Sequence, residues 1–333
     1  MMNQAELLRI FDCFTQQRVL IIGDVMVDSY IWGKVDRISP EAPVPVVAVQ
    51  RKENRLGGAA NVALNVKALG ANSVLAAVIG NDLEGDTFLK LLEQEGLSSE
   101  GIMRLDRPTT VKTRVLGNQH QLLRIDAEDD SELTYSDSSV FIETIVKLLR
   151  SDRFDVIIFE DYDKGLISQN LIESVVSIAK ELNILVAVDP KKRNFLSYKN
   201  VDLFKPNLKE IKEGLKMDVD PKSLDSLIVA DSKLRSEINH TWSLITLSEH
   251  GMFASNGTEL SQTPSRPIII SDVSGAGDTV ISTAALCLSA GADIETSTYL
   301  ANLAGASVCE KPGVVSVDAA FLLATAISSI EKL

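Results

Sequence analysis

The chain has 333 residues, 45% of them hydrophobic, and a formal net charge of −13, with an isoelectric point near 4.8. Acidity without a basic tail argues against a nucleic-acid surface or an anionic membrane as partner, so a polyanionic ligand must be held by local basic groups or backbone amides. Three cysteines, Cys13, Cys287 and Cys309, with no C-x-x-C and only three histidines, give neither a disulfide framework nor a metal-site spacing and fit a reducing cytoplasm.

The N-terminal MMNQAELLRIFDCFTQQ carries Glu6 and Asp12 and reads as a short amphipathic helix, not a targeting segment. RVLIIGD (18–24) is an apolar run ending in Gly-Asp, as expected of a buried strand that delivers a loop to a sheet edge. Similar runs follow at 73–80, 155–161, 184–190, 201–207 and 242–248, and helical patterns lie between most of them at 58–70, 84–96, 138–150, 168–182 and 223–235. Strands alternating with helices predict right-handed crossovers and an α/β fold, its mostly parallel sheet sandwiched by helices. No apolar run approaches the ~18 residues of a membrane span.

Two segments break that rhythm. Residues 29–50 and 108–126 are rich in proline or β-branched residues and have no helix between their halves, so they read as extended strands. Paired, they form a small β-sheet lid inserted into a single domain spanning 1–333. PIIIS (267–271) also reads as strand-like, and beyond residue 275 the pattern is helical to the end.

In open α/β sheets ligands bind beyond the carboxyl ends of the strands. Polar residues gather there: Asp24 and Asp28; Asp161 and Lys164; Asp189, Lys191 and Arg193; Asn207 and Glu210; Ser248 and Glu249; and the turn Gly275-Ala276-Gly277-Asp278. In that turn, DVSGAGDTV (272–280), glycines let amides close on a ligand and a helix mouth favours an anion. An aspartate beside a bound phosphate must then be kept for chemistry or serve as an ordinary cap.

With GDVMVD (23–28), LGGAANVA (56–63), KPNLKE (205–210) and DVSGAGDT (272–279) in this order, the sequence resembles the ribokinase-like, or PfkB, sugar kinases over essentially its whole length. GDVMVDSYIWGKVDRISPEAPVPVV, TRVLGNQHQLLRIDAED and EDYDKG are similar, more narrowly, to heptose 7-phosphate kinases of lipopolysaccharide core biosynthesis, which phosphorylate the anomeric hydroxyl of D-glycero-β-D-manno-heptose 7-phosphate. In many bacteria such kinases are fused to an adenylyltransferase. The H-x-G-H element of that enzyme is not in this chain, so the resemblance covers the kinase half and places the adenylyltransferase downstream, outside it.

The resemblance implies roles. Asp278 is the general base toward the acceptor hydroxyl, and the amides of Gly275, Ala276 and Gly277 stabilise the transferring phosphoryl group. Asp28 and Asn61, joined by Asp24, hold sugar hydroxyls, and Gly57 and Gly58 let a helix start approach the sugar. Asn207 and Glu210 organise Mg2+ on ATP through water, although the same residues read as an N-cap with Glu at N3. Ser248, Glu249 and Gly251 line the nucleotide, with His250 where a lysine is common, and Asp272 and Ser274 lie where some relatives bind an activating monovalent cation such as K+. For the substrate phosphate the cationic candidates are Lys164, Lys191, Arg193, Arg37, Arg114 and Arg124. Tyr30 and Trp32 alternate on a lid strand and suggest a dimer seam or sugar stacking, and an open lid sheet predicts a homodimer.

Two alternatives share the pattern: a related kinase of fructose, ribose or a nucleoside, and a nucleotide-binding regulator without turnover. A dinucleotide oxidoreductase does not, because the first strand runs into GDVMVD and not G-x-G-x-x-G.

Overall fold

A computed structural model of the protein describes residues 3–118 and 120–330. Its main sheet has nine strands, in the order Leu260–Thr263, Met252–Ser255, Trp242–Thr246, Leu203–Phe204, Leu185–Asp189, Val156–Glu160, Arg18–Gly23, Asn72–Gly80 and Ser98–Leu105. The last seven run parallel, and the first two close one edge as an antiparallel hairpin.

Parallel pairing explains the unbroken apolar runs, because each central strand is covered on both faces. Val19 and Ile21 enter one core with Leu75 and Ile158, against the helices Gln4–Phe14, Ala59–Ala68, Ala276–Ser289 and Ile294–Cys309. Leu20 and Ile22 enter the other with Phe159 and Val188, against the helices Tyr135–Ser151, Gln169–Leu182, Leu208–Leu215 and Leu224–Ile238. Helix starts are set by side-chain caps: Thr134, Ser168, Ser223 and Asp293 each accept from the amide three residues on.

A second sheet has the order Pro45–Gly58, Val25–Ile38, Val111–Gly117, His120–Ala127. The outer pairs are antiparallel and the central pair is parallel. The extended segments expected at 29–50 and 108–126 fall within it, but the first begins at Val25, one residue past Asp24, and its return strand runs into the helix Ala59–Ala68. This sheet therefore grows out of the carboxyl edge of the main one. Residues in register, Arg55–Asp28–Lys112–Asp126 and Glu53–Tyr30–Arg114–Arg124, put its charge on one face. The alternate rows carry Ile31, Val115, Leu123 and Ile125 on the other, where Leu123 is 55% and Ile125 52% exposed.

One expected strand is absent. PIIIS (267–271) forms no strand, and Ile269 and Ile270 are exposed. The sheet edge it would have joined is taken by the hairpin, whose connection carries Asn256-Gly257, and Pro264 and Pro267 remove two backbone donors from the segment.

Candidate active site

Because the central strands are parallel, the polar residues that follow them meet at one edge. Asp278 stands in the first turn of the helix Ala276–Ser289 and is 5% exposed. Its Oδ2 accepts from Asn61 Nδ2 at 2.7 Å and its Oδ1 from the Tyr162 hydroxyl at 3.0 Å. Burial pushes its carboxyl above the ordinary 3.8, and the hydrogen bond from Asn61 opposes that rise. A buried carboxylate with raised pKa, fixed by two donors at a helix mouth, is suited to accept a proton.

Gly275 caps this helix at φ 81°, and a Cβ there would lie 2.7 Å from Asn61 Nδ2, so the glycine is required both by conformation and by the contact that orients the aspartate. Of the amides assigned to phosphate, that of Ala276 turns to the Val273 carbonyl at 3.3 Å, and the first bond closing the helix joins Thr279 N–H to the Gly275 carbonyl. The dipole and the remaining orphan amides of the first turn stay with the mouth.

Beside Asp278 lie two carboxylates that close the strands Val156–Glu160 and Leu185–Asp189. Glu160, Asp189 and Asp278 are buried and bring one oxygen each within 4.8 Å of one another. Lys205 Nζ sits 2.8 Å from Asp189 Oδ2, and Lys191 Nζ lies between Asp189 Oδ1 at 3.5 Å and Glu210 Oε1 at 2.9 Å. Although burial alone would raise the Asp189 carboxyl, the two lysines hold it below the ordinary value. Glu160 is fully buried and neither of its oxygens has a hydrogen-bond partner among the described residues. Desolvation, then the charges of Asp189 and Asp278, push it well above the usual carboxylate range. Counting Glu160, Asp189, Asp278 and Glu210 against Lys191 and Lys205, the fully ionised cluster carries a net charge of −2 (four minus two). Hard oxygen donors with that deficit suit Mg2+.

Asn207 and Glu210 form a reciprocal capping box at the start of the helix Leu208–Leu215, so the cap is present as well as the kinase motif. Ser248, Glu249 and His250 make a short 3-10 turn after Trp242–Thr246. His250 Nε2 lies 3.5 Å from the exposed Glu249 carboxylate. Gly251 turns the chain back at φ 84°. Asp272 Oδ1 accepts from Ser274 N–H and Oδ2 from Gly313 N–H, tying this loop to the one after the helix Ile294–Cys309.

On the lid side, Asp28 is buried and paired with Arg114. A Cβ at position 57 would overlap Asp28 Oδ2, so Gly57 leaves the room this carboxylate occupies. Gly58 adopts φ 62° and precedes the helix Ala59–Ala68, whose first amide donates to the Asp24 carbonyl. Asp24 is turned to structure: Oδ2 accepts from Tyr162 N–H at 2.9 Å and Lys164 N–H at 3.2 Å. Tyr30 and Trp32 stack at 5.3 Å on the face of Asp28, under the guanidinium groups of Arg55 and Arg51, and not on the apolar face.

The six cationic candidates separate. Lys191 belongs with Glu210, and Arg193 Nη1 donates to the Asp130 carbonyl. Arg37 is exposed near the end of a lid strand. Arg114, Arg124 and Lys164 remain around Asp28, Asp126 and Glu128. Tyr162, Glu160, Lys205 and Lys112 were not singled out from sequence. The signal for Glu160 and Tyr162 was there: a carboxylate closing an apolar run, followed by the EDYDKG turn.

The profile of the pfkB family carbohydrate kinases matches residues 16–320. A relative from Magnetococcus marinus, "Bifunctional protein HldE", is 39% identical over 308 residues, covering 92% of this chain; the chain spans 63% of that protein's length. Phosphofructokinase-2 from Escherichia coli in complex with fructose-6-phosphate has a similar fold, with a TM-score of 0.77 at 16% identity over 95% of this chain and 99% of its own. Ribokinase from Arabidopsis thaliana complexed with ribose and ATP gives 0.70 at 16% identity, over 92% and 98%. A sequence match running through both insertions and the Gly-Ala-Gly-Asp helix, on a similar fold, settles the assignment: the chain belongs to the pfkB family of carbohydrate kinases and is an ATP-dependent sugar kinase.

Proposed function

We propose that the chain transfers the γ-phosphoryl group of ATP to the anomeric hydroxyl of D-glycero-β-D-manno-heptose 7-phosphate, giving the 1,7-bisphosphate for ADP-heptose and lipopolysaccharide core synthesis in the cytoplasm. The observation that carries the reading is the buried Asp278, held by Asn61 and Tyr162 at a glycine-capped helix mouth. Its carboxylate retains lone pairs for an acceptor hydroxyl, whose proton it takes as the sugar oxygen attacks phosphorus. Asp28 and Asn61 orient the sugar, and the helix amides with Lys191 and Lys205 meet the charge developing on the phosphoryl oxygens. Mg2+, once bound with the nucleotide, neutralises phosphate charge, and Asn207 and Glu210 are the residues that would hold it, through water. Asp272 and Ser274 offer loop oxygens to a K+ ion.

The apolar lid face of Ile31, Val115, Leu123 and Ile125 would pair with its copy in a homodimer, and an adenylyltransferase would act on the product. No helix among the described residues is long and apolar enough to cross a membrane. A coupled ATPase assay with sugars and sugar phosphates tests the substrate. Selective turnover of heptose 7-phosphate supports the reading, and preference for an unphosphorylated acceptor overturns it.

A further inference from the structure

On the charged face of the lid, one carboxylate joins two lysines from different parts of the chain. Glu128 Oε1 lies 2.8 Å from Lys164 Nζ, and its Oε2 lies 3.2 Å from Lys112 Nζ. Lys112 stands in register beside Asp28 on the strand Val111–Gly117, and Lys164 follows the Glu160 strand in the loop tied to Asp24. Both ammonium groups are mostly covered, at 14% and 17% side-chain exposure. Their positions are braced. Arg107 Nη2 donates to the Asp129 and Lys164 carbonyls, clamping the turn after Glu128 against the Lys164 backbone, and Asp126 Oδ2 holds Lys112 from the other side at 3.1 Å. Glu128 itself follows the end of the strand His120–Ala127, outside any regular element, with the most exposed side chain of the three at 28%.

Two cations aimed at the two oxygens of one carboxylate are also aimed at two oxygens of a phosphate, which presents them at a similar separation and carries more charge. We propose that Lys112 and Lys164 form the subsite for the phosphate of the acceptor, and that Glu128 is a built-in stand-in that the phosphate displaces. The inference rests on the sugar-phosphate reading above and makes it specific: an acceptor whose hydroxyls lie at Asp28 reaches Lys112 next to it. Glu128 keeps the pair neutralised until a stronger anion arrives, so that only a phosphorylated acceptor gains the two lysine contacts.

The test uses the full chain saturated with a non-hydrolysable ATP analogue, so that the helix mouth is occupied. Inorganic phosphate is titrated calorimetrically into the wild type and the K112A, K164A and E128Q proteins. Each lysine variant should bind phosphate at least ~10-fold more weakly, while E128Q binds it several-fold more tightly, as loss of a charge-assisted contact and of a competing anion require. All three should keep wild-type affinity for the analogue, which shows them folded. With heptose 7-phosphate as acceptor, the lysine variants should raise KM by a similar factor with far smaller change in kcat, the mark of binding equal in ground and transition states. A wild-type chain that takes up no phosphate, or lysine variants with unchanged phosphate affinity, overturns the subsite. A chain that binds phosphate at this pair yet phosphorylates only neutral sugars upholds the subsite and refutes the heptose reading.

Discussion

Two buried polar clusters sit on the same sheet and are built on opposite rules. Around Asp231, in the helix Leu224–Ile238, both carboxylate oxygens are met: Oδ1 accepts from the Ser243 hydroxyl and Arg235, Oδ2 from the Ser255 hydroxyl and Arg235. Around Asp278, Glu160 has no donor and three carboxylates crowd within 4.8 Å. The first cluster ties a helix to two strands and supplies donors to both oxygens of its carboxylate, although Arg235 Nε and His240 Nδ1 have no hydrogen-bond partner among the described residues. The second holds charge at a free-energy cost that a folded protein keeps only where a ligand is to be met. The difference separates a structural network from the one proposed to be catalytic, without reference to motif.

The largest expected effect breaks the comparison from the catalytic side. Asp278→Asn should lower kcat by about 10^2–10^4-fold, the range for a general base, while the denaturation midpoint moves little. Single-turnover kinetics beside urea unfolding decides it; a variant with wild-type turnover removes Asp278 from the chemistry. Next comes the structural side. Asp231→Ala takes the shared acceptor from Ser243, Ser255 and Arg235, which keeps its contacts to three backbone carbonyls, and should cost about 3 kcal/mol of stability, with activity per folded molecule intact. Unchanged stability there would mean that the satisfied network contributes nothing.

How much of this contrast was legible in the sequence differs between the two. Asp278 was picked out by the Gly-Ala-Gly-Asp turn together with the family resemblance, since the turn alone left an ordinary cap open, and the strand-end positions of Asp189 and Asn207 followed from apolar runs of the kind buried parallel strands require. Asp231 gave no sign, because its partners Ser243 and Ser255 come from other strands and look like ordinary polar residues of an edge. Glu160 carried a signal, a carboxylate closing an apolar run, but as the last residue of that run it reads as the start of a loop, whereas it is fully buried. Pairing of Lys112 with Lys164 through Glu128 depends on lid register, which turn chemistry and long-range contacts decide.

Acid titration sharpens the contrast through opposite signs. Burial, reinforced by Asp161, raises the Asp24 carboxyl from 3.8 to about 6, so the folded chain binds this proton before the unfolded chain does, and its contribution to stability is full below 3.8 and lost as pH rises through 6. Burial, then the charge of Arg235, lowers His240 from 6.5 to about 4, so its contribution is full above 6.5 and lost as pH falls through 4. Each displacement is worth about 3 kcal/mol, and across pH 4–6 they oppose each other. Relative to wild type, Asp24→Asn should therefore lose stability faster on acidification, and His240→Asn more slowly. Urea midpoints measured from pH 4 to 7 report both; parallel profiles for the three proteins would remove the pH contrast.

The smallest effect is the most discriminating, because it asks whether the catalytic cluster is strained in the absence of ligand. Gln in place of Glu160 keeps the shape, removes a carboxyl that burial and two neighbouring carboxylates disfavour, and supplies an amide that can donate to Asp189 Oδ1, itself without a hydrogen-bond partner among the described residues. By the worth of a hydrogen bond formed between buried groups, Glu160→Gln should gain about 1–2 kcal/mol. The same change makes the cluster less negative, so the Mg2+ concentration for half-maximal turnover should rise several-fold. Asp231→Asn, the matching conservative change in the satisfied network, should do neither: it loses stability and leaves the Mg2+ requirement alone. If Glu160→Gln instead loses stability, the orphaned carboxylate has a partner in solution, and the two clusters follow one rule.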